Sequence, residues 1–113
     1  EEGLPAYDEL IYVANSEKLN SDKILRFLEA VELATQYIIN HPQDSWEIFA
    51  STSSELRDEL KLLAWQDTLH RLAIRTAAID LGRYQRFETF LVLAGLLKKT
   101  QPASQLAVDL TSQ

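Results

Sequence analysis

The stretch "GLPAYDELIYVAN", Gly3–Asn15, decides how the rest of the chain is read. Its core, Leu10–Ala14, carries Ile11, Tyr12 and Val13, residue types that favour a pleated, half-buried backbone. The run is apolar on both faces rather than alternating. That pattern predicts a strand covered on both sides, as in a mostly parallel sheet. Gly3 and Pro5 mark an irregular lead-in. A lone strand leaves its backbone donors and acceptors unpaired, so the expectation of a strand is also the expectation of a missing partner.

Beyond Asn15 the pattern turns helical. "NSEKLNSD" is a polar break, and Asn20, Ser21 and Asp22 offer N-cap chemistry. Ile24, Phe27, Leu28, Val31, Ala34 and Ile38 then follow helical spacing, widened by Leu25, Leu33 and Tyr37. Asn40-His41-Pro42 ends that helix, because the residue before proline avoids the α region. Pro42 opens a shorter helix at a position that needs no amide donor. Asp44 suits the dipole of its first turn, and Trp46, Phe49 and Ala50 form its inner face. Thr52 and Glu55 have capping-box spacing, with Ser53 as a rival cap.

A third helix is expected from about Ser54 to Leu69, with Leu56, Leu60 and Leu63 in one stripe and Leu62, Trp65 and Leu69 in another. "HRLAIRTAAID" either continues it or bends. Asp80 reads as the cap of a fourth helix with Tyr84, Phe87, Leu91 and Ala94 on one face. Gly95 reads as its left-handed stop. Pro102 starts a last short helix or turn. The expected architecture is therefore mainly α, four to five helices with one N-terminal strand. It forms a single compact unit over 1–113, with the strand segment in 1–15 and a helical scaffold over 21–110.

Composition narrows the function classes. The chain has 113 residues, 46% hydrophobic and 25% charged, with net charge −6. A nucleic-acid backbone needs a basic face, and the only adjacent lysines are Lys98 and Lys99. The apolar runs are too short to cross a bilayer as a helix. There is no cysteine, which excludes disulfides, thiolate metal sites and cysteine nucleophiles. With three glycines, the chain has no phosphate-cradling glycine loop. The opening "EEGLPAYDE" lacks Met and reads as an excised or processed piece.

Catalytic chemistry finds little support. His41, next to a helix-starting proline, reads as a local or solvent contact. His70 follows Asp67 by three residues, which brings them to one helix face as an ion pair; no nucleophile stands in a suitable context for an acid–base role. The two histidines have no zinc-ligand spacing. Arg83 and Arg86 read as part of a solvated face, Trp46 and Trp65 as core. Neither an enzyme activity, a cofactor nor a metal site is expected. The opening stretch is different. Tyr7, Asp8, Glu9 and Tyr12 put aromatic rings beside carboxylates. An aromatic ring can stack on a flat heterocycle, and a carboxylate can accept from ring amino groups. Tyr7, Glu9 and Tyr12 are the candidate ligand-binding residues.

Four stretches carry a resemblance in order: "GLPAYDELIYVAN", "KILRFLEAVELATQYIINHPQDSWEIF", "ELRDELKLLAWQDTL" and "AAIDLGRYQRFETFLVLAGLL". From Gly3 to Leu110 the chain resembles the C-terminal part of the NMT1/THI5-like solute-binding proteins. The resemblance implies a fragment of a larger two-lobed, α/β, type II periplasmic-binding-protein-like fold, with "ELIYVAN" as a crossover strand. It implies non-covalent capture of a thiamine-related pyrimidine precursor and delivery to an ABC permease, in the periplasm or at the extracytoplasmic membrane face. Fungal relatives make the hydroxymethylpyrimidine themselves, with residues in a part of the chain that precedes this one, so no catalytic residue carries over. The alternative expectation, from the residues alone, is a helical interaction module that pairs through its N-terminal strand, a homodimer being one version; a weaker alternative, implied by the resemblance, is a fragment of an enzyme of pyrimidine (thiamine precursor) synthesis.

Overall fold

The computed structural model describes residues 3–111. Five α-helices follow in order: α1 (Asp22–Asn40), α2 (Pro42–Ser51), α3 (Glu59–Leu69), α4 (Leu81–Leu93) and α5 (Ala103–Leu106). Short 3-10 turns stand at Ser16–Lys18 and Ser54–Leu56. The mainly helical expectation holds.

The strand does not. Among the described residues there is no strand, and Leu10–Ala14 is irregular. A strand exists only as part of a hydrogen-bonded ladder, and among the described residues no ladder forms. Leu10 is 96% exposed and Val13 86% exposed, so the apolar run is not covered on both sides. The α/β assignment falls with it. Composition favoured a strand; the absence of a partner overrode it.

The chain divides into two units, Asp22–Thr76 and a second made of 1–21 with 77–113. In the first, α1 packs on α2 and α2 on α3. Trp46, Phe49 and Trp65 form an aromatic cluster, with centroids 6.1 Å apart for Trp46–Phe49, 5.9 Å for Trp46–Trp65 and 5.1 Å for Phe49–Trp65. These spacings suit tilted and offset ring packing. The Thr76 hydroxyl donates to the Leu28 carbonyl at 2.8 Å, which ties the end of the connector after α3 back to α1.

The expected third helix is split. Its first turn is the 3-10 piece, capped by Ser53, whose hydroxyl accepts from the Glu55 amide at 3.3 Å. Arg57 then leaves helical geometry, and Asp58 caps α3 anew by accepting from the Lys61 amide at 2.8 Å. An aspartate able to satisfy an orphan amide competes with helix continuation. "HRLAIRTAAID" is not helical; it is the bent connector of the two forms left open.

In the second unit α4 starts where expected. The Asp80 carboxylate accepts from the Arg83 amide at 3.1 Å. It ends in a Schellman arrangement: Gly95 sits at φ +73°, its amide donates to Val92 and the Leu96 amide to Leu91. This closes two orphan carbonyls in the left-handed geometry that glycine adopts without strain. Glu88 is buried on α4 and accepts from the Gln101 amide at 3.1 Å, fixing the turn before α5. The Leu110 amide donates to the Ala77 carbonyl at 3.1 Å.

Candidate functional site

The second unit holds the opening stretch against α4. Tyr7 stacks on Phe87, with centroids 4.7 Å apart and planes 16° from parallel. Phe87 in turn stacks on Phe90 at 6.3 Å. Beside the stack, Asp8 Oδ1 meets Arg83 Nη1 at 2.5 Å. The Tyr84 hydroxyl also donates to Asp8. Two consecutive residues of the first turn of α4 therefore hold one carboxylate.

Helix geometry explains the arrangement. Tyr84 and Phe87 are three residues apart and share a face, while Asp80 fixes where the helix begins. Asp80 also meets Arg86 Nη2 at 3.5 Å. Burial pushes the Tyr84 hydroxyl above its usual 10.0, and the neighbouring Asp8 charge and its hydrogen bond push the same way, while Arg83 opposes them. The first three disfavour a phenolate beside a carboxylate; the Arg83 charge alone favours it.

Asp8 is thereby committed to α4. Glu9 is exposed and has no hydrogen bond or ion pair among the described residues. Tyr12 is exposed but engaged in a contact of its own. Of the three ligand candidates, Tyr7 lies on Phe87, while Glu9 and Tyr12 present surface. Sequence reasoning left Arg83, Tyr84 and Phe87 in a solvated or packing role. The helical spacing of Tyr84 and Phe87 was visible; their meeting with residues 7 and 8 carried no local signal.

The expected Asp67–His70 pair does not form. Asp67 Oδ2 instead meets Arg71, at 3.0 Å to Nη2 and 3.1 Å to Nε, the i,i+4 neighbour with a longer reach. His41 precedes α2 without a side-chain capping bond, and its ring lies 4.6 Å from that of Tyr37. A shallow groove of about 310 Å³ runs past Pro42, Trp46, Leu62, Trp65 and His70. Trp65 Nε1 and Ser45 Oγ are buried without a hydrogen-bond partner. Among the described residues no helix is long and apolar enough to cross a membrane.

Surface area adds a second observation. The chain exposes 9167 Å². Two independent globular units of half its mass each would expose about 7,600 Å² in total. Among the exposed residues, Phe27, Leu33, Leu60, Leu93 and Leu96 are all more than half exposed.

Comparison with known proteins points one way. The family model described as NMT1/THI5 like matches residues 1–45. A Haemophilus influenzae protein, provisionally named a thiamine biosynthesis protein, is 41% identical over 109 residues, which is 96% of this chain and 35% of that protein. The chain thus spans about a third of the length of that relative. No solved structure matches. The family match covers the very segment that docks on α4, and the likeness to the relative extends over nearly the whole chain.

Proposed function

We propose that this chain belongs to a solute-binding protein that captures a thiamine-related pyrimidine precursor non-covalently and hands it to an ABC permease on the extracytoplasmic side of a membrane. The family match and the thiamine biosynthesis name of the relative support the thiamine link. The observation that carries the reading is the state of Tyr7, Glu9 and Tyr12. They lie inside the family-matched residues 1–45, and all three are exposed. A flat aminopyrimidine needs a ring to stack on and an acceptor for its exocyclic amine. A tyrosine and the Glu9 carboxylate supply both. Delivery to a permease requires a ligand bound without covalent change.

Isothermal calorimetry of the full-length protein that carries this chain, with hydroxymethylpyrimidine and separately with its formylamino precursor, tests the ligand. Saturable heat with either supports the reading; absence of heat with both removes the pyrimidine assignment. The relative's name favours a second reading, pyrimidine synthesis. Mass spectrometry after incubation separates the two, because a binding protein returns the pyrimidine unchanged and an enzyme does not.

A further inference from the structure

We propose that Arg83 and Tyr84 are positioning residues for the opening segment: by holding the Asp8 carboxylate on the first turn of α4, they leave Glu9 as the carboxylate of the Asp8–Glu9 pair that receives a ring amino group. The identity of that amino group rests on the proposed function; the latch itself does not.

Three observations converge on it. Asp8 and Arg83 are 75 positions apart, yet their charged atoms stand 2.5 Å apart. The pair is half shielded, with side chains 31% and 41% exposed. The adjacent residues on each side make their own contacts, Tyr7 to Phe87 one turn further along α4 and Tyr84 to the same carboxylate. A segment without a hydrogen-bonded ladder has no backbone means of holding its course. Side-chain contacts must do it, and here they are gathered at residues 7 and 8.

The consequence is a division of labour. A carboxylate that already accepts from a guanidinium and a phenol has little capacity for a ligand amine. Its neighbour Glu9, exposed and without a hydrogen bond or ion pair among the described residues, keeps its full acceptor capacity. Arg83 is itself placed by the cap, since its own amide donates to Asp80. Cap, cation and carboxylate form one chain of contacts from the start of α4 to residue 8. Gly82 sits inside this network: a Cβ there would stand 3.1 Å from both Arg86 Nη1 and Asp80 Oδ1, so the turn is closely filled.

The chain has no cysteine, so one label reports the segment without interference. Leu10→Cys, at a 96% exposed position, is spin-labelled in the whole chain and in the Asp8→Asn, Arg83→Gln, Tyr84→Phe and Asp8→Asn/Arg83→Gln backgrounds. The expected result is a mobile spectral fraction about threefold larger in Asp8→Asn or Arg83→Gln, with no further rise in the double variant, and far-UV circular dichroism unchanged. The exchanged pair Asp8→Arg/Arg83→Asp restores part of the immobile fraction. Singles without effect, or additive effects in the double variant, overturn the latch.

Calorimetry with hydroxymethylpyrimidine, on the full-length protein that carries this chain, then tests the division of labour. Glu9→Gln weakens binding about tenfold, and Arg83→Gln about threefold. Binding that ignores Glu9→Gln while the parent chain binds overturns the role of Glu9. A parent chain that gives no heat removes the pyrimidine reading, and the spin label still decides the latch.

Discussion

Asp8 and Arg83 meet at 2.5 Å across 75 positions of sequence, and Tyr84 closes on the same carboxylate. The opening segment takes its course from this contact and from the Tyr7–Phe87 stack. Secondary structure plays no part, because residues 4–15 have none of their own.

Tyr84 gives the contact a pH signature. Its folded pKa is raised above 10.0, so the stabilisation is fully present below that value and is lost as pH rises through the folded pKa. Absorbance titration at the phenolate band, taken as the difference between the parent chain and Tyr84→Phe, is expected to give a midpoint above 10. In Asp8→Asn the midpoint falls, because a neutral amide no longer repels the phenolate. A difference midpoint below 10 contradicts the contact.

Asp58 works in the opposite direction. The hydrogen bond from the Lys61 ammonium, then that from the Lys61 amide, hold its carboxyl below the ordinary 3.8. The stabilisation it gives α3 is present above that ordinary value and disappears as pH falls through the lower folded value. Asp58→Ala is expected to lower the thermal midpoint at pH 7 and to abolish the acid-side loss of helicity attributable to this cap. Circular dichroism melts at pH 7 and at pH 2 to 3 for both chains provide the comparison.

Gly95 is tested by alanine. No atom lies within 4 Å of a Cβ built there, so Gly95→Ala meets open space and pays only for the left-handed backbone. The expected cost is about 1 kcal/mol by chemical denaturation. A neutral substitution would mean that α4 does not end in the Schellman geometry.

The two tryptophans should separate. Trp46 is 7% exposed and touches both other rings of its cluster, so Trp46→Ala is expected to cost about 3 kcal/mol. Trp65 carries a buried indole N–H without a partner. Trp65→Phe removes that orphan while keeping a ring, and is expected to change stability by less than about 1 kcal/mol. Urea denaturation followed by far-UV signal reads both.

Much of the helical framework was readable from local chemistry. Pro42 starts α2, Asp80 caps α4 and Gly95 stops it, each because a single residue type satisfies or removes a specific backbone group. The break at Arg57–Asp58 was also local. It was missed because Asp58 lies between Leu56 and Leu60 of one stripe that looks continuous, and capping outcompeted that continuity. The strand at Leu10–Ala14 failed for a different reason. β-branched and aromatic residues raise the tendency to extend, yet a ladder needs a second chain segment, which is a fact about the whole molecule.

The candidate site divides in the same way. Tyr7, Glu9 and Tyr12 could be nominated from residue type, because stacking and amine acceptance are properties of side chains. That Asp8 is occupied while Glu9 is not was settled by Arg83 and Tyr84, residues that approach from the far end of the chain. Sequence alone determined which groups can stack, accept and cap, since these follow from covalent chemistry within a few residues. Only the tertiary structure decided which carboxylate is already spent, because pairing depends on distances that the chain sets by folding.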